Sequence, residues 1–284
     1  MNGAGNDFVV VDCSESAFLF TEDAIRRMCD RRRGIGADGV ILLSRSRIPG
    51  CAHVVMEFFN CDGSKAELCG NGLRCAALFA YEHGLTREPA ITFATGGGEL
   101  AAEVISRGMV RIELPLTEDF EMHENTGGFT VFKGTVGVPH AVLRMDGLAH
   151  ADILRPGRAL RNHRAFAPAG VNVDFLEFGH DFSEPVTIRT YERGVEDETL
   201  ACGTGIASSA RVLAKFFHAP ADLTFRTRSG DLVRTHLPDG NSARIILTGP
   251  AVEVYRGTAS ADSFELASVT AADSPYFKEK DSQS

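Results

Sequence analysis

Two short stretches of the chain share one pattern, and this pattern decides the predicted fold. They read LCGNGLRCAA at residues 68–77 and ACGTGIASSA at residues 201–210. Each has a small or apolar residue, then a cysteine, a glycine, a polar residue and a second glycine, followed by a helix-forming run. Each also follows a predicted strand and an acidic turn. The repetition predicts two similar α/β halves, each with a helix that begins at the Cys-Gly-polar-Gly turn.

Strand-like apolar runs dominate the rest of the chain. The three glycines at residues 96–98 predict a hairpin turn, and Pro115 is expected to end the strand before it. The frequent hairpins argue against an all-parallel doubly wound sheet. Strands are predicted at residues 8–11, 40–43, 54–59, 91–94, 99–105, 110–114, 129–136, 171–178, 185–191, 223–227, 231–236 and 243–247, and helices at 21–31, 73–83 and 206–217.

Composition and charge are those of an ordinary globular protein. Of its 284 residues, 44% are hydrophobic and 24% are charged, and the formal net charge is -9. This acidity argues against a nucleic-acid partner, because proteins that bind nucleic acids are more often basic. No apolar run reaches the length of a membrane span, so we expect no membrane segment.

The seven cysteines give the second compositional signal. Their number is odd and their spacing is not that of a disulfide framework, which predicts free thiols in a reducing cytoplasm. No Cys-x-x-Cys pair is present, which argues against zinc, and we expect no metal. The cysteines outside positions 69 and 202 are interpreted as structural, and these are Cys13, Cys29, Cys51, Cys61 and Cys75.

A Cys-Gly turn at a helix N-terminus combines two chemical properties. The first turn of a helix has backbone N–H groups without intrahelical partners and a partial positive charge, which together suit a carboxylate. Glycines let a ligand approach this backbone closely. A cysteine at the same end is expected to gain thiolate character, since the positive charge favours the ionised form. Each turn therefore supplies a thiol acid or base beside an anion site.

Two such turns that face one another predict one specific reaction. They would hold a single α-carboxylate and place Cys69 on one face of the α-carbon and Cys202 on the other. One thiolate removes the α-proton and the opposite thiol delivers a proton, which inverts the centre without a cofactor. The backbone donors stabilise the carboxylate as it takes on the charge of the carbanion. One cysteine alone would be interpreted as a small buried hydrophobe, but the repetition favours catalysis.

At these residues the sequence resembles the diaminopimelate epimerases over nearly its whole length. The motifs that carry the resemblance are long and occur in the right order. They lie at residues 3–9, 33–39, 60–64, 69–75, 139–140, 172–173, 191–194 and 198–205.

The resemblance implies an isomerase that interconverts LL- and meso-2,6-diaminopimelate in lysine and peptidoglycan precursor biosynthesis, with no cofactor. It implies an α/β fold, α+β-like, with two pseudo-symmetric halves. Each half would be a mixed or antiparallel sheet wrapped around a central helix, with the active site in the cleft between them. The half with Cys69 would comprise residues 1–114 plus about 250–270, and the half with Cys202 would comprise 115–249. Members of the family are commonly homodimers.

The resemblance also implies a role for each site residue. The catalytic pair would be Cys69 and Cys202, and the side chains that tune or orient the thiols would be His140 and Glu192. The backbone clamp on the reacting carboxylate would be Gly70, Asn71, Gly203 and Thr204, and the other substrate ligands would be Asn6, Asn60, Asn172, Glu192 and Arg193.

These residue types suit the substrate, although each also has a structural interpretation. Asparagine both donates and accepts, which suits a zwitterion, and arginine can bind a distal carboxylate with two parallel hydrogen bonds. Judged without the motifs, Asn6 and Asn60 would form turns, and Asn172 would be a polar residue at a strand edge. Arg193 would be a surface charge, and Glu192 would pair with it. His140 would cap a turn after Pro139.

Two departures from the family pattern keep an alternative substrate open. Many members carry asparagine where this chain has Val138, and glutamine where it has Gly39. Both changes lower the polarity expected around the distal end of the substrate. The alternatives are a related cofactor-independent racemase that acts on another amino acid, such as histidine or proline, and a non-enzymatic redox or metal-binding protein.

Overall fold

The computed structural model describes residues 1–15, 18–46, 52–66, 69–238 and 243–268. The chain divides into two compact units, of which unit 1 comprises Met1–Val110 and the chain from Ala251, and unit 2 comprises Arg111–Pro250. Each unit has a mixed sheet and a buried helix, which confirms the predicted fold class of two pseudo-symmetric α/β halves. Among the described residues, no helix is long and apolar enough to cross a membrane.

Four α-helices and eighteen strands are present in the described parts of the chain. The helices are α1 (Glu22–Cys29), α2 (Gly70–Glu82), α3 (Leu154–Arg161) and α4 (Gly203–Phe217). The strands are β1 (Asn2–Gly3), β2 (Asn6–Asp12), β3 (Phe18–Leu19), β4 (Gly39–Arg45), β5 (Val54–Asn60), β6 (Lys65–Ala66), β7 (Ala90–Thr95), β8 (Gly98–Ser106), β9 (Met109–Thr126), β10 (Phe129–Val136), β11 (Val138–Arg144), β12 (Asn172–Glu177), β13 (Val186–Glu192), β14 (Asp197–Thr199), β15 (Asp222–Arg226), β16 (Leu232–His236), β17 (Arg244–Pro250) and β18 (Ala267–Ser268).

Unit 1 packs its sheet against the buried helix α2. The strand order is β1-β2-β4-β5-β7-β8, with β6 on β5. Strand β2 is parallel to β4, β4 is antiparallel to β5, and β7 and β8 form the predicted hairpin. Every residue of α2 from Gly70 to Leu78 is buried. A helix that is buried on all sides needs an apolar or small residue at nearly every position, and the ALFA run of α2 supplies them.

Unit 2 repeats this plan around α4. The strand order is β9-β10-β11-β12-β13-β15-β16-β17, and a further pairing between β17 and β9 closes the sheet on itself. Strand β11 is parallel to β12, and β12 is antiparallel to β13, which is the arrangement of β2, β4 and β5 in unit 1. Every residue of α4 from Gly203 to Leu213 is buried. The two repeated motifs thus begin the central helix of each unit.

The expected end of a strand at Pro115 is wrong. Strand β9 continues through this proline from Met109 to Thr126. Its pairing with β10 begins one residue later, at Leu116 opposite Val136, and the Leu116 N–H donates to Ala243 O at 2.8 Å. The proline therefore lies outside the ladder with β10, where its missing N–H costs no hydrogen bond.

Helix α3 was not predicted, because its sequence contains a proline and a glycine. Pro156 is the third residue of the helix, within the first turn, where its missing N–H has no intrahelical partner to lose. Gly157 follows because a Cβ there would lie 2.6 Å from Tyr191 Cβ. Close packing on β13 therefore selects a residue that the sequence pattern interprets as a helix breaker.

One ion-pair cluster ties the C-terminal half of α4 to β9. Asp119 accepts from Arg211 Nε at 2.9 Å and from Lys215 Nζ at 2.8 Å. The hydrogen bond from Arg211 is the main cause that holds the pKa of Asp119 well below its usual range. A carboxylate with a depressed folded pKa stabilises the fold above its unfolded pKa of about 3.9, and this stabilisation is lost as the pH falls further.

We therefore expect Asp119→Asn to lower the free energy of unfolding at pH 7. The loss should be about 1 kcal/mol or less, because the Asp119 side chain is 42% exposed and water screens the pair. The difference from wild type should narrow below pH 4. Urea unfolding at several pH values from 7 to 3 measures it, and a difference that stays constant over this range would contradict the assignment.

Candidate active site

Cys202 is the N-cap residue of α4 in unit 2. Its backbone is extended, with φ -120°, and the helix starts at Gly203. The side chain is buried, and Sγ lies 3.4 Å from Thr204 Oγ1. The first backbone N–H groups of α4 lie beside this thiol, and a carboxylate fits such a helix start.

Cys69 is in the equivalent position at the start of α2 in unit 1. Its backbone is also extended, with φ -136°, and its Sγ accepts from the Gly72 N–H at 3.3 Å. The side chain is half-buried. The two motifs recognised in the sequence therefore adopt the same local conformation, with a cysteine at each helix N-cap.

Cys202 differs from the sequence prediction in its protonation. A helix N-terminus was expected to favour the thiolate, but in the structure the pKa of Cys202 is raised well above its usual value. Burial is the largest cause, followed by the negative charges of Glu192 and Asp174, and the hydrogen bonds from Thr204 and the Gly205 N–H offset only part of it. Cys202 is therefore a protonated thiol in this state, which suits a proton donor.

This environment predicts slow alkylation of Cys202. At pH 8, iodoacetamide should modify the exposed Cys61 at least about tenfold faster than Cys202, because Cys202 is both buried and protonated. The rate at Cys202 should rise with pH up to and beyond pH 9. Mass spectrometry of the separate peptides measures both rates, and equal reactivity of the two thiols at pH 8 would contradict the assignment.

A buried polar network extends from Cys202 into unit 2. His140 Nε2 lies 3.0 Å from Thr204 Oγ1, and His140 Nδ1 lies 2.7 Å from Asp174 Oδ2. Thr190 Oγ1 donates to Asp174 Oδ1 at 2.7 Å. His140 and Asp174 are both fully buried. The interpretation of His140 as the cap of a turn is wrong, because it lies within β11 and points into this network.

The predicted ligands Asn172, Glu192 and Arg193 lie beside the same network. Asn172 is buried in β12, where its Oδ1 accepts from the Arg193 N–H at 2.7 Å. Glu192 is near enough to Cys202 to raise the pKa of that thiol by its charge. The Arg193 guanidinium donates to Ala169 O at 3.4 Å and is half-exposed. Unit 2 thus brings together all seven of the site residues predicted in it.

Unit 1 brings Asn6 and Asn71 together. Asn71 Nδ2 donates to Asn6 Oδ1 at 2.5 Å, and Asn6 Nδ2 donates to Asp38 Oδ2 at 3.0 Å. The buried Arg74 donates to Asn71 Oδ1 at 2.9 Å, which fixes the Asn71 amide beside Gly70. These contacts orient two predicted substrate ligands at the start of α2.

Asn60 has the contacts of a turn residue. Its Nδ2 donates to Ser64 Oγ at 3.0 Å, and its backbone N–H donates to Ser64 O at 2.9 Å. These are the contacts expected for the structural interpretation of Asn60, and they also hold its side chain at the end of β5.

Gly39 lies where the family pattern has a larger residue, and the structure explains why glycine stands there. A Cβ on Gly39 would lie 2.6 Å from Phe59 O and 2.7 Å from Phe58 Cε2. The Phe58 ring packs edge-on against Phe8, with centroids 5.9 Å apart. An aromatic pair therefore occupies the space that a polar side chain at position 39 would need.

Sequence reasoning missed Asp174, Thr190 and Asp38. Asp174 had a detectable signal, since it is the one charged residue in the run VNVDFL of residues 171–176, which is buried throughout. A carboxylate inside such a run needs a partner. Within the described ranges, no group of three His, Cys, Asp or Glu side chains is arranged to hold a metal ion.

Sequence comparison identifies relatives over almost the whole chain. A family model described as diaminopimelate epimerase matches residues 1–114 and 132–254. The diaminopimelate epimerase of Chlorobaculum tepidum is 38% identical over 260 residues, which cover 91% of this chain and 99% of the relative. That of Aquifex aeolicus is 37% identical over 280 residues, which cover 93% of this chain and 98% of the relative.

Structure comparison finds the same fold at low identity. A putative phenazine biosynthesis PhzC/PhzF protein from Clostridium difficile has a TM-score of 0.68 at 14% identity and covers 90% of this chain and 93% of its own. A hydroxyproline epimerase from Agrobacterium vitis, solved with bound trans-4-hydroxy-L-proline, has a TM-score of 0.61 at 18% identity and covers 88% of this chain and 86% of its own. At these identities the likeness concerns the fold alone.

Proposed function

The chain belongs to the diaminopimelate epimerase family of isomerases, and on that premise we propose that it converts LL-2,6-diaminopimelate to the meso isomer by proton transfer between Cys69 and Cys202. The reaction needs no cofactor. It serves the formation of lysine and peptidoglycan precursors.

One observation carries the proposal, namely that two buried helices begin with the same turn and carry a cysteine at the N-cap. Inversion at an α-carbon needs an acid and a base on opposite faces, and each turn supplies one thiol. Each turn also supplies backbone N–H groups, from Gly70 and Asn71 at one helix and from Gly203 and Thr204 at the other. These donors stabilise the negative charge that develops on the α-carboxylate as the proton leaves.

The protonation of Cys202 assigns the resting roles in this proposal. A buried thiol with a raised pKa is the proton donor, so Cys69 acts as the base when the first substrate binds. After one inversion the two thiols have exchanged roles. The reverse reaction then uses Cys202 as the base.

The remaining ligands match the second amino-acid end of the substrate. Asn6 and Asn172 have amides oriented by neighbouring groups, and Arg193 has a half-exposed guanidinium that can bind a carboxylate. Asn60 and Glu192 complete the proposed set. We also propose that the protein is a homodimer and that it is located in the cytoplasm. The six cysteines among the described residues are free thiols, which suits a reducing compartment.

A second substrate class is favoured by Val138 and Gly39. The Phe8–Phe58 pair beside Gly39 is apolar, and an apolar wall suits an amino acid without a second charged end. Histidine and proline are the alternative substrates that we consider in place of diaminopimelate.

Chiral analysis of the products tests the substrate. Reduced protein should convert LL-diaminopimelate to a mixture of LL and meso isomers without added cofactor, and it should leave L-histidine and L-proline unchanged. Conversion of histidine or proline, with no conversion of diaminopimelate, would replace the proposed substrate by the alternative.

A further inference from the structure

We propose that Asp174 is a positioning residue that makes His140 a proton acceptor for Cys202, with the Thr204 hydroxyl as the link between them. This inference rests on the proposed function, since it concerns how Cys202 loses its proton to become the base of the reverse, meso-to-LL reaction, and how it regains that proton. Every contact that carries it lies within unit 2.

The hydrogen bonds determine which nitrogen of His140 carries the proton. The Arg193 backbone N–H can only donate, so the Asn172 oxygen must face it, at 2.7 Å. The Asn172 NH₂ group then faces His140 Nε2, at 3.4 Å. An NH₂ group donates, so Nε2 is the acceptor and the neutral ring carries its proton on Nδ1. That Nδ1–H donates to Asp174 Oδ2 at 2.7 Å.

Asp174 is itself held in place. Its other oxygen, Oδ1, accepts from Thr190 Oγ1 at 2.7 Å, and the carboxylate is fully buried. A buried carboxylate beside a histidine fixes the orientation of the ring and stabilises the imidazolium when it forms, as in the Ser-His-Asp triad.

The path from Cys202 to His140 has two short steps. Cys202 Sγ lies 3.4 Å from Thr204 Oγ1, and Thr204 Oγ1 lies 3.0 Å from His140 Nε2. The S–H bond breaks and its electron pair stays on sulfur, while the proton passes to Thr204 Oγ1. The hydroxyl proton of Thr204 moves at the same time to His140 Nε2. The products are a thiolate, an unchanged hydroxyl and an imidazolium that still donates to Asp174.

The matching positions of unit 1 are apolar, which argues against a purely architectural role for the network. The strand registers pair His140 with Asn172 and Asp174 with Thr190 in unit 2, and they pair Phe8 with Gly39 and Ile41 with Phe58 in unit 1. The glycines of the two turns confirm this match, because a Cβ on Gly205 would meet Asp174, and one on Gly72 would meet Ile41.

Unit 1 therefore forms the same arrangement of strands and central helix with apolar side chains at these positions. Burying a carboxylate in place of such a set costs free energy unless it is fully paired. The polar set in unit 2 is consistent with a chemical role at the adjacent thiol. Glu192, the other charged group near Cys202, has no place in this path.

A pair of variants at Thr204 tests the link. Thr204→Val removes the hydroxyl at almost constant volume and leaves the backbone N–H of the carboxylate clamp in place. We expect kcat to fall about 100-fold with KM changed less than about threefold, because acid–base groups contribute at least this much. Thr204→Ser restores a hydroxyl and should recover most of the loss.

The matched control is Thr235→Val, which makes the same change in β16 of unit 2. The buried hydroxyl of Thr235 has no hydrogen-bond partner among the described residues. This variant should keep wild-type kcat. It separates the loss of the proton path from the loss of a buried hydroxyl in general.

Two readouts besides turnover separate the path from a structural effect. Iodoacetamide should alkylate Cys202 about tenfold more slowly in Thr204→Val than in wild type, and Thr204→Ser should react at close to the wild-type rate. In ¹⁵N-histidine NMR of the wild type, His140 should show a protonated Nδ1 and an unprotonated Nε2.

The variant Asp174→Asn tests the positioning residue itself. The His140 ring loses its anionic partner in this variant, and kcat should fall about 100-fold or more.

The outcomes distinguish this inference from the proposed function. Wild-type kcat and alkylation in Thr204→Val, or equal losses in Thr204→Val and Thr204→Ser, would overturn the proton path. A protonated Nε2 on His140 in the wild type would overturn it as well. An active Cys202→Ala variant would instead overturn the two-cysteine function.

Discussion

Cys202→Ala is expected to lose inversion of the α-carbon by at least about 10³-fold, and Cys69→Ala is expected to lose it to a similar extent. Each replacement removes the proton donor or acceptor on one face of the substrate, and a methyl group cannot replace it. The helix turns and their backbone N–H groups remain, so substrate binding should persist. Steady-state kinetics and calorimetric titration with meso-diaminopimelate measure the two effects separately.

Cys75→Ala is the control for these variants. Cys75 is fully buried inside α2 and its pKa is raised to about 12, mainly by burial, so it remains a thiol in contact with the core. The replacement should lower the free energy of unfolding by about 1–2 kcal/mol and leave kcat nearly unchanged. Near wild-type inversion by Cys202→Ala would remove that residue from the mechanism.

Gly205→Ala is expected to have the second largest effect. The added Cβ would collide with the Asp174 carboxyl group, with Cγ only 3.0 Å away. Asp174 is fully buried, so its carboxyl group can shift only by breaking its hydrogen bonds to His140 and Thr190. We expect the variant to lose about 1–3 kcal/mol of stability. We also expect lower activity, because His140 loses its anchor.

Gly72→Ala provides the matched comparison, since Gly72 has the same position in the first turn of α2. There the nearest atoms to the new Cβ are Ile41 Cδ1 and Cys69 Cβ, both at 3.4 Å. This is near ordinary contact, so the loss of stability should stay below about 1 kcal/mol. Chemical unfolding of both variants tests the difference, and equal losses would show that the Asp174 contact does not set the cost.

The repeated motif made the two halves and their central helices predictable from sequence. The pattern Cys-Gly-polar-Gly specifies a cysteine with an extended backbone at the N-cap. It also specifies that the helix starts directly after this cysteine. Both helices begin at the predicted turn, at Gly70 and Gly203. Apart from the strand expected to end at Pro115, the predicted strands agree with the structure because their apolar runs are short and bounded by turns.

The failures in the fold involve proline and glycine at positions where tertiary contacts decide the structure. Pro115 continues a strand because it lies outside the ladder with β10. Pro156 and Gly157 stand inside a helix because the first turn tolerates a proline and Tyr191 requires a glycine. The local sequence contains neither the β9–β10 ladder nor the contact of Gly157 with Tyr191, since both depend on a partner strand. Cys51, interpreted as structural, lies outside the described residues.

The chemistry of Cys202 shows a limit of reasoning from one motif. The helix N-terminus favours a thiolate, but burial and two nearby carboxylates have the larger effect on its pKa. Asp174 lies in a strand 28 residues before Cys202 and meets the motif only through folding. A sequence pattern specifies the thiol and the turn, whereas the protonation of the thiol depends on burial and on side chains from β12 and β13.

The most direct test of two-base inversion is a deuterium-incorporation measurement in D₂O. LL-diaminopimelate is incubated with the reduced protein, and ¹H NMR and mass spectrometry follow early turnover. Because Cys202 delivers a solvent-derived proton to one face while Cys69 keeps the proton that it removed from the other, the meso product should contain one solvent deuteron at the inverted carbon, while recovered LL substrate keeps its α-proton. Product that retains the substrate proton, or LL substrate that exchanges before product forms, would contradict proton transfer between two cysteines.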